Sequence, residues 1–335
     1  MKRKAKVTMN DIARAAGVSQ ATVSLVLNQS RNIKLSDETR LRVMTVAGEL
    51  GYDRLPAIHA PRNQEEIGLL ISSLQSYDPF IDAISQAREA AWRNEVLLTV
   101  YEYGDDSELA LEIIRQLEKR NCVGIILASP VTVLSDMSAF RDATTLPCVL
   151  LNQRDPASPQ LPSFMPDDFT NAFQVTRHLL AQGATRIAHI TGESWMEATR
   201  QRLAGYQAAL AQAEIAFDAA LVRETNWQFS ESCEVTQALL DLPSPPDAIF
   251  CASDWLTIGC YQALAARGVQ IPAQMLVAGY DDQKISEQMT PPLTSVGLPY
   301  GELGRLAVEY LCQAEDAPTQ VLLAGKLRER ASTRR

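Results

Sequence analysis

The chain has 335 residues, of which 46% are hydrophobic, and a formal net charge of -9; that is ample apolar material for globular cores and too much chain for one small core. An acidic total argues against a nucleic-acid binder until it is divided by position: residues 1 to 62 carry 11 Lys and Arg against 5 Asp and Glu, a balance of +6, which leaves 20 against 35, or -15, for the remainder. No apolar run approaches the roughly 18 residues that span a bilayer, and the cysteines are scattered without a Cys-x-x-Cys pair, which excludes a disulfide or zinc framework and reads as reduced thiols.

The opening Lys2, Arg3, Lys4 and Lys6 are not followed by the apolar core of a secretory signal, so a cytoplasmic protein is expected. Residues 8 to 28 then spell two short helices joined by a tight turn. Thr8 can cap the first helix, with Asp11 three residues on as a close variant of the capping box, and Gly17 supplies the left-handed residue that ends it. Ser19 can cap the second. Ile12, Ala16, Val18, Val23 and Val26 recur at spacings that let both helices share one small core, which turns Gln20, Ala21, Ser24 and Leu25 outward. This is the pattern of a helix-turn-helix DNA reader, although helical hairpins with a glycine turn also occur as plain packing units. A basic head supplies phosphate attraction, and an acidic body limits unproductive contacts with the same backbone.

A third helix is signalled by Ser36 as cap, Asp37 and Glu38 in its first turn, Val43, Ala47 and Leu50 at helical spacing, and Gly51 as the stop. Residues 53 to 65 lose periodicity and contain Pro56 and Pro61, which suits a linker. Beyond it, apolar runs of strand length alternate with helical stretches: Ile67 to Ile71, Val96 to Val100, Val123 to Leu127, Cys148 to Leu151, Ile187 to Ile190, Ala248 to Cys251 and Leu276 to Ala278. That rhythm predicts an α/β fold with doubly wound parallel sheets, which bind ligands in the crevice beyond their strand C-termini.

The head, through Asn10-Asp11-Ile12-Ala13, Ala16-Gly17-Val18-Ser19 and Thr22-Val23-Ser24, resembles the LacI/GalR family of bacterial transcription regulators, with Gly51-Tyr52 closing the third helix. The body resembles the same family through Ile67-Gly68-Leu69, Asp78-Pro79-Phe80, Arg202-Leu203-Ala204-Gly205-Tyr206, Cys251-Ala252-Ser253-Asp254, Gly279-Tyr280-Asp281-Asp282 and Pro291-Pro292-Leu293-Thr294-Ser295-Val296. The resemblance implies a headpiece over residues 1 to 52, a hinge over 53 to 65 and a two-lobed, periplasmic-binding-protein-like body over 66 to 335. The lobes are expected at approximately 66 to 160 with 291 to 320, and 161 to 290 with 321 to 335. It also implies a homodimer on near-palindromic double-stranded operator DNA, controlled by a small-molecule effector, a carbohydrate or a derivative of one.

Carried onto this sequence, the resemblance gives a DNA-facing set of Thr8, Ser19, Gln20, Ala21, Thr22, Ser24, Leu25 and Asn28. Many relatives have an arginine where this chain has Leu25, so hydrogen-bonded reading falls mainly to Gln20, and Leu25 offers apolar contact, for instance to a thymine methyl. The leucine that wedges into the minor groove in relatives is missing at its expected place. Ile58 is a substitute wedge or an ordinary linker residue.

In the body, Arg202 matches an arginine that holds effector oxygens, Asp281 an acid that accepts from hydroxyls, Asn152 stands where aspartate is common, and Ser253 where asparagine is common. Trp227 and Phe80 are expected as opposite aromatic walls, with Trp195 and Trp255 as further wall candidates. Each has a structural alternative: a surface ion pair for Arg202, a turn for Asp281, plain core for Trp227 and Phe80. The paired acids Asp105-Asp106 and Asp167-Asp168 read as caps and turns, since no His or Cys accompanies them at ligand spacing. No metal and no cofactor are expected.

Three rival functions fit the residues less well. An enzyme lacks its signatures here: no phosphate-cradling Gly-x-x-x-x-Gly-Lys, no Gly-x-Gly-x-x-Gly after a strand and no Gly-x-Ser-x-Gly elbow. An exported solute binder has no use for the basic head, and an architectural DNA protein has none for so large a body. The segment after Val321 to Leu327 is too short for a tetramerising leucine heptad, so dimers are expected.

Overall fold

A computed structural model describes residues 7–27, 36–50, 52, 65–74, 78–313 and 320–334. The chain divides into two compact units, Met1–Gln64 and Glu65–Arg335. Asn28 and Ile58 lie outside the described residues.

The first unit holds α1 (Met9–Ala16), α2 (Gln20–Leu27) and α3 (Asp37–Glu49). The side-chain oxygens of Thr8 and Asp11 satisfy each other's backbone N–H at the start of α1, and Gly17, at φ 66°, closes it by donating its N–H to Ala13. Ser19 Oγ accepts from the Thr22 N–H at 3.0 Å, and Ser36 Oγ from that of Thr39 at 3.3 Å, so both later helices start on a serine. Ile12, Ala13, Ala16, Val23, Val26, Leu27, Val43 and Ala47 form the core, with Val18 half-buried at its edge. Leu50 corrects the expectation for α3: it lies past the helix end, 39% exposed, and Val46 packs against the core instead.

The second unit contains twelve strands among its described residues: β1 (Glu66–Ile71), β2 (Leu97–Glu102), β3 (Cys122–Leu134), β4 (Cys148–Arg154), β5 (Ser163–Pro166), β6 (Ile187–Thr191), β7 (Val222–Glu224), β8 (Ala248–Cys251), β9 (Leu276–Asp281), β10 (Thr294–Gly297), β11 (Gln320–Leu323) and β12 (Lys326–Arg328). They build one sheet in the order β11-β5-β4-β3-β1-β2 and a second in the order β12-β10-β9-β8-β6-β7. Every pairing is parallel except β10 with β12. Parallel strands covered on both faces need continuous apolar runs, and the all-buried β6, β8 and nearly all-buried β1 and β9 have them.

The lobe boundaries differ from those expected. β5 belongs to the first sheet, paired with β4 and β11, while β10 belongs to the second, with Thr294 opposite Ala278. The chain therefore passes between lobes near residue 167, at 298–299 and at 324–325. Four-residue strands, one of them ending in Pro166, carry no readable periodicity, and besides the preceding strand each has a partner far away in sequence, β11 for β5 and β12 for β10. Among the described residues no helix is long and apolar enough to cross a membrane.

Candidate functional site

On the head, Ser19, Gln20 and Ala21 are exposed at the start of α2, while Thr22, Ser24 and Leu25 are half-buried. The hydroxyls of Ser19 and Thr22 bond to each other at 2.8 Å, which commits them first to starting the helix. Thr8 is likewise tied to Asp11. Gln20 reaches Met9 Sδ at 3.9 Å, a weak contact that leaves its amide the strongest hydrogen-bonding group on this face.

In the body, a cavity of about 180 Å³ opens between the two sheets. Arg202, Ser253 and Asp281, which the family resemblance implies at the effector, and Trp227, expected as an aromatic wall, line it together with Asp78, Thr132, Gln228, Trp255, Gln283 and Tyr300. Arg202 projects from the helix Glu197–Gln212 and is 5% exposed. Its Nε donates to Asp168 Oδ1 at 2.9 Å, its Nη1 to the Ala252 carbonyl at 2.6 Å, and its Cζ lies 3.8 Å from the centre of the Tyr280 ring. Burial works against the Arg202 charge, but Asp168 beside it wins and holds the guanidinium protonated. Asp168 Oδ2 is buried without a hydrogen-bond partner among the described residues.

Trp227 forms a wall. It sits at φ 68°, a conformation costly for a bulky side chain, and donates Nε1–H to Met196 Sδ at 3.1 Å. Its ring packs against Gly192, where a Cβ would fall 1.9 Å from two indole carbons, so the position after β6 must be glycine for the wall to stand. Ser253 both lines the cavity and accepts from the Leu256 N–H at 3.1 Å, capping the helix Asp254–Ala266. Of the other tryptophans, Trp255 lines the cavity and Trp195 is 58% exposed elsewhere.

Two expected contacts are corrected. Phe80 is fully buried in the core of the first sheet, its ring edge-on to Tyr300 at 5.3 Å, because Asp78 Oδ1 accepts the Phe80 N–H and this turn sends the acid to the cavity and the ring inward. Asn152 is also fully buried: Nδ2 donates to the Ser129 carbonyl and the Tyr300 hydroxyl, and Oδ1 accepts from Thr132 at 2.8 Å. Both residues sit one layer behind the wall and hold Tyr300 and Thr132 in place. Asp168 is likewise more than a turn residue, being the partner of Arg202, whereas Asp167 does cap its helix through the Thr170 N–H.

Sequence reasoning did not single out Asp78, Thr132, Gln228, Gln283 or Tyr300. Asp78 was findable, since it lies just beyond β1 where sheets of this kind receive ligands. Tyr300 was not, because it arrives from the start of a helix in the other half of the chain.

The cavity is acidic. Burial raises the Asp78 carboxyl to about 6 against the pull of the Phe80 N–H, and burial raises Asp281 well above the usual range although Arg202 opposes it. Behind them burial lifts Asp254 to about 7 despite its bonds from Ser295 and the Gln283 N–H. For Asp78 the consequence has a definite sign. Unfolded, it releases its proton near 3.8, and folded it keeps the proton to about 6, so the folded state binds more protons between those values and loses the associated stability as pH rises through the window. Asp78→Asn should flatten that part of the melting temperature against pH curve. Superimposable curves for the two chains would mean that Asp78 titrates normally.

Comparison with known proteins supplies the context. The family description "Bacterial regulatory proteins, lacI family" matches residues 8–54, and "Periplasmic binding protein-like domain" matches 176–333. The ribose operon repressor of Haemophilus influenzae is 31% identical over 319 residues, covering 93% of this chain and 93% of its own. The transcriptional repressor CytR of Escherichia coli K12 is 30% identical over 308 residues, covering 92% and 89%. Among solved structures, the lac repressor dimer bound to operator and the anti-inducer ONPF matches with a TM-score of 0.71 at 27% identity, over 99% of this chain and 100% of that one. The transcriptional regulator CelR in complex with cellobiose matches at 0.70 and 27%, over 97% and 99%.

Proposed function

This chain belongs to the LacI family of bacterial regulatory proteins and is a sequence-specific DNA-binding transcriptional regulator, and from that premise we propose that its cleft binds a sugar-like effector that releases operator DNA. It is a cytoplasmic repressor, not an enzyme, and acts as a homodimer whose two heads meet half-sites at fixed spacing. The observation that carries this reading is the cleft itself: Asp78, Thr132 and Tyr300 from one side of the body and Arg202, Trp227 and Asp281 from the other converge on one cavity, so a ligand held by both sets favours one arrangement of the lobes. A relative named for ribose and a structural neighbour holding cellobiose support a carbohydrate. Moving a population from 1:99 to 99:1 takes ~5.5 kcal/mol of differential binding, within reach of several hydroxyl contacts and one aromatic stack.

On DNA, Gln20 is the principal hydrogen-bonding reader, suited to an adenine edge, and Leu25 contributes apolar contact to a thymine methyl. Thr8, Ser19, Ala21, Thr22, Ser24 and Asn28 complete the interface, and Ile58 is either its minor-groove wedge or an ordinary linker residue, which Ile58→Ala decides by lowering operator affinity or leaving it unchanged. Selection of duplexes from a random pool should lose one thymine preference in Leu25→Ala, where a single unfavourable base costs about 1–3 kcal/mol. Recovery of a guanine whose preference survives that substitution would remove Leu25 from the readers.

The test of the proposal is a search for sugars that change the fluorescence of Trp227 and Trp255, followed by operator titration with each hit. Loss of operator affinity on adding a hit is the expected outcome. Hits that bind while operator affinity stays constant would leave the cleft without a regulatory role.

A further inference from the structure

We propose that the cleft selects by charge, taking an uncharged or amine-bearing hydroxyl-rich molecule between Asp78 and Asp281 and rejecting phosphorylated or carboxylated ones; this rests on the reading of the cleft as the effector site. Positive charge is scarce at the cavity. Among the described residues lining the cavity, Arg202 is the one cationic side chain, and its charge is already engaged by Asp168 at 2.9 Å, with its face laid on Tyr280. Asp78 and Asp281 line the same cavity, and neither forms an ion pair among the described residues.

A phosphate or carboxylate is bound by Arg or Lys forks or by the open N–H groups at a helix N-terminus. The helix that starts at the cavity, Asp254–Ala266, offers little of either. Its N-terminus is capped by Ser253 and carries Asp254 in the first turn, so an acid already sits at the positive end of its dipole. An added anion would stand beside Asp78, ionised above about pH 6, with no free cation among the described lining residues to receive it. Hydroxyl or ammonium donors instead meet what two half-buried carboxyls lack, since Asp78 Oδ1 accepts only the Phe80 N–H among the described residues and burial disfavours the ionised form of both until a donor arrives. The remaining polar groups, Thr132, Gln228 and Gln283, are neutral and suited to hydroxyls. Because Asp78 follows β1 of the first sheet and Asp281 ends β9 of the second, one donor-rich molecule engages both lobes.

The test uses the full chain and a matched panel: ribose, glucose, galactose and adenosine, the corresponding amino sugars, and the phosphate ester of each parent, scored by shift in melting temperature. Shifts confined to the uncharged and amine-bearing members are expected. In Asp78→Asn, compared with the unaltered chain at a pH above about 6 where Asp78 is ionised, the discrimination between a responding sugar and its phosphate ester should shrink by about tenfold, the effect of removing one like charge from a site. A phosphate ester that binds the unaltered chain as tightly as its parent overturns the proposal, as does silence from every uncharged and amine-bearing member. A compound that shifts melting in the expected charge class but leaves operator affinity constant supports charge selection while removing the regulatory reading, so the two fail separately.

Discussion

Arg202→Ala should destabilise the body by about 3–5 kcal/mol, because it strips the buried Asp168 carboxylate of the one cation that pairs with it among the described residues. The family resemblance implies that Arg202 holds effector oxygens, and the alternative read from the residues is a surface ion pair. In the structure it also holds the body together, for Asp168 is 2% exposed, its Oδ1 depends on Arg202 and on the Tyr280 hydroxyl, and its Oδ2 has no hydrogen-bond partner among the described residues. Truncating the guanidinium also removes a donor to the Ala252 carbonyl and the cation stacked on Tyr280. Urea unfolding of the full chain should show the body transition at markedly lower denaturant. Arg202→Ala combined with Asp168→Asn should regain part of the loss, since the uncompensated charge is then gone. A single variant that unfolds with the native midpoint would mean that the pair contributes little.

Gly192→Ala should uncouple ligand from DNA without unfolding the chain. The new methyl would overlap the Trp227 indole, which is a rigid ring anchored at φ 68° and by a bond to Met196, so the ring must leave the cavity wall. Removing one aromatic face from a sugar site forfeits about 0.5–1.5 kcal/mol in the stack alone, and the displaced ring also occupies ligand space. We expect the compound that releases the unaltered chain from its operator to need at least tenfold higher concentration with this variant. Operator affinity without the compound should be unchanged, as titration by fluorescence anisotropy would read. A normal response would place Trp227 outside the site.

Local rules were legible where they act over a few residues. The caps at Thr8, Ser19 and Ser36 and the left-handed Gly17 follow from spacing alone, as do the strands with long apolar runs. β5 and β10 were not legible: each is only four residues long, and each is flanked on one side by a strand, β11 or β12, that arrives from far along the chain. At the cleft, Arg202, Ser253 and Asp281 were found through the family resemblance, and Trp227 by the rule that side chains beyond parallel strands converge. Asp78 and Phe80 show the limit of that rule. Both sit in one turn, and which of the two faces the cavity depends on a hydrogen bond from the Phe80 N–H to the acid, a detail that sequence does not carry. Asn152 fails for a related reason, since its amide is consumed by Ser129, Thr132 and Tyr300, the last 148 residues away.

The most direct measurement is competition: a duplex selected by the full chain, labelled and challenged with excess bulk DNA at moderate ionic strength, with and without a compound that shifts Trp227 and Trp255 fluorescence. The account predicts that the selected duplex resists the competitor and that the compound abolishes this resistance. Equal displacement by any duplex, in the presence or absence of such a compound, would contradict it.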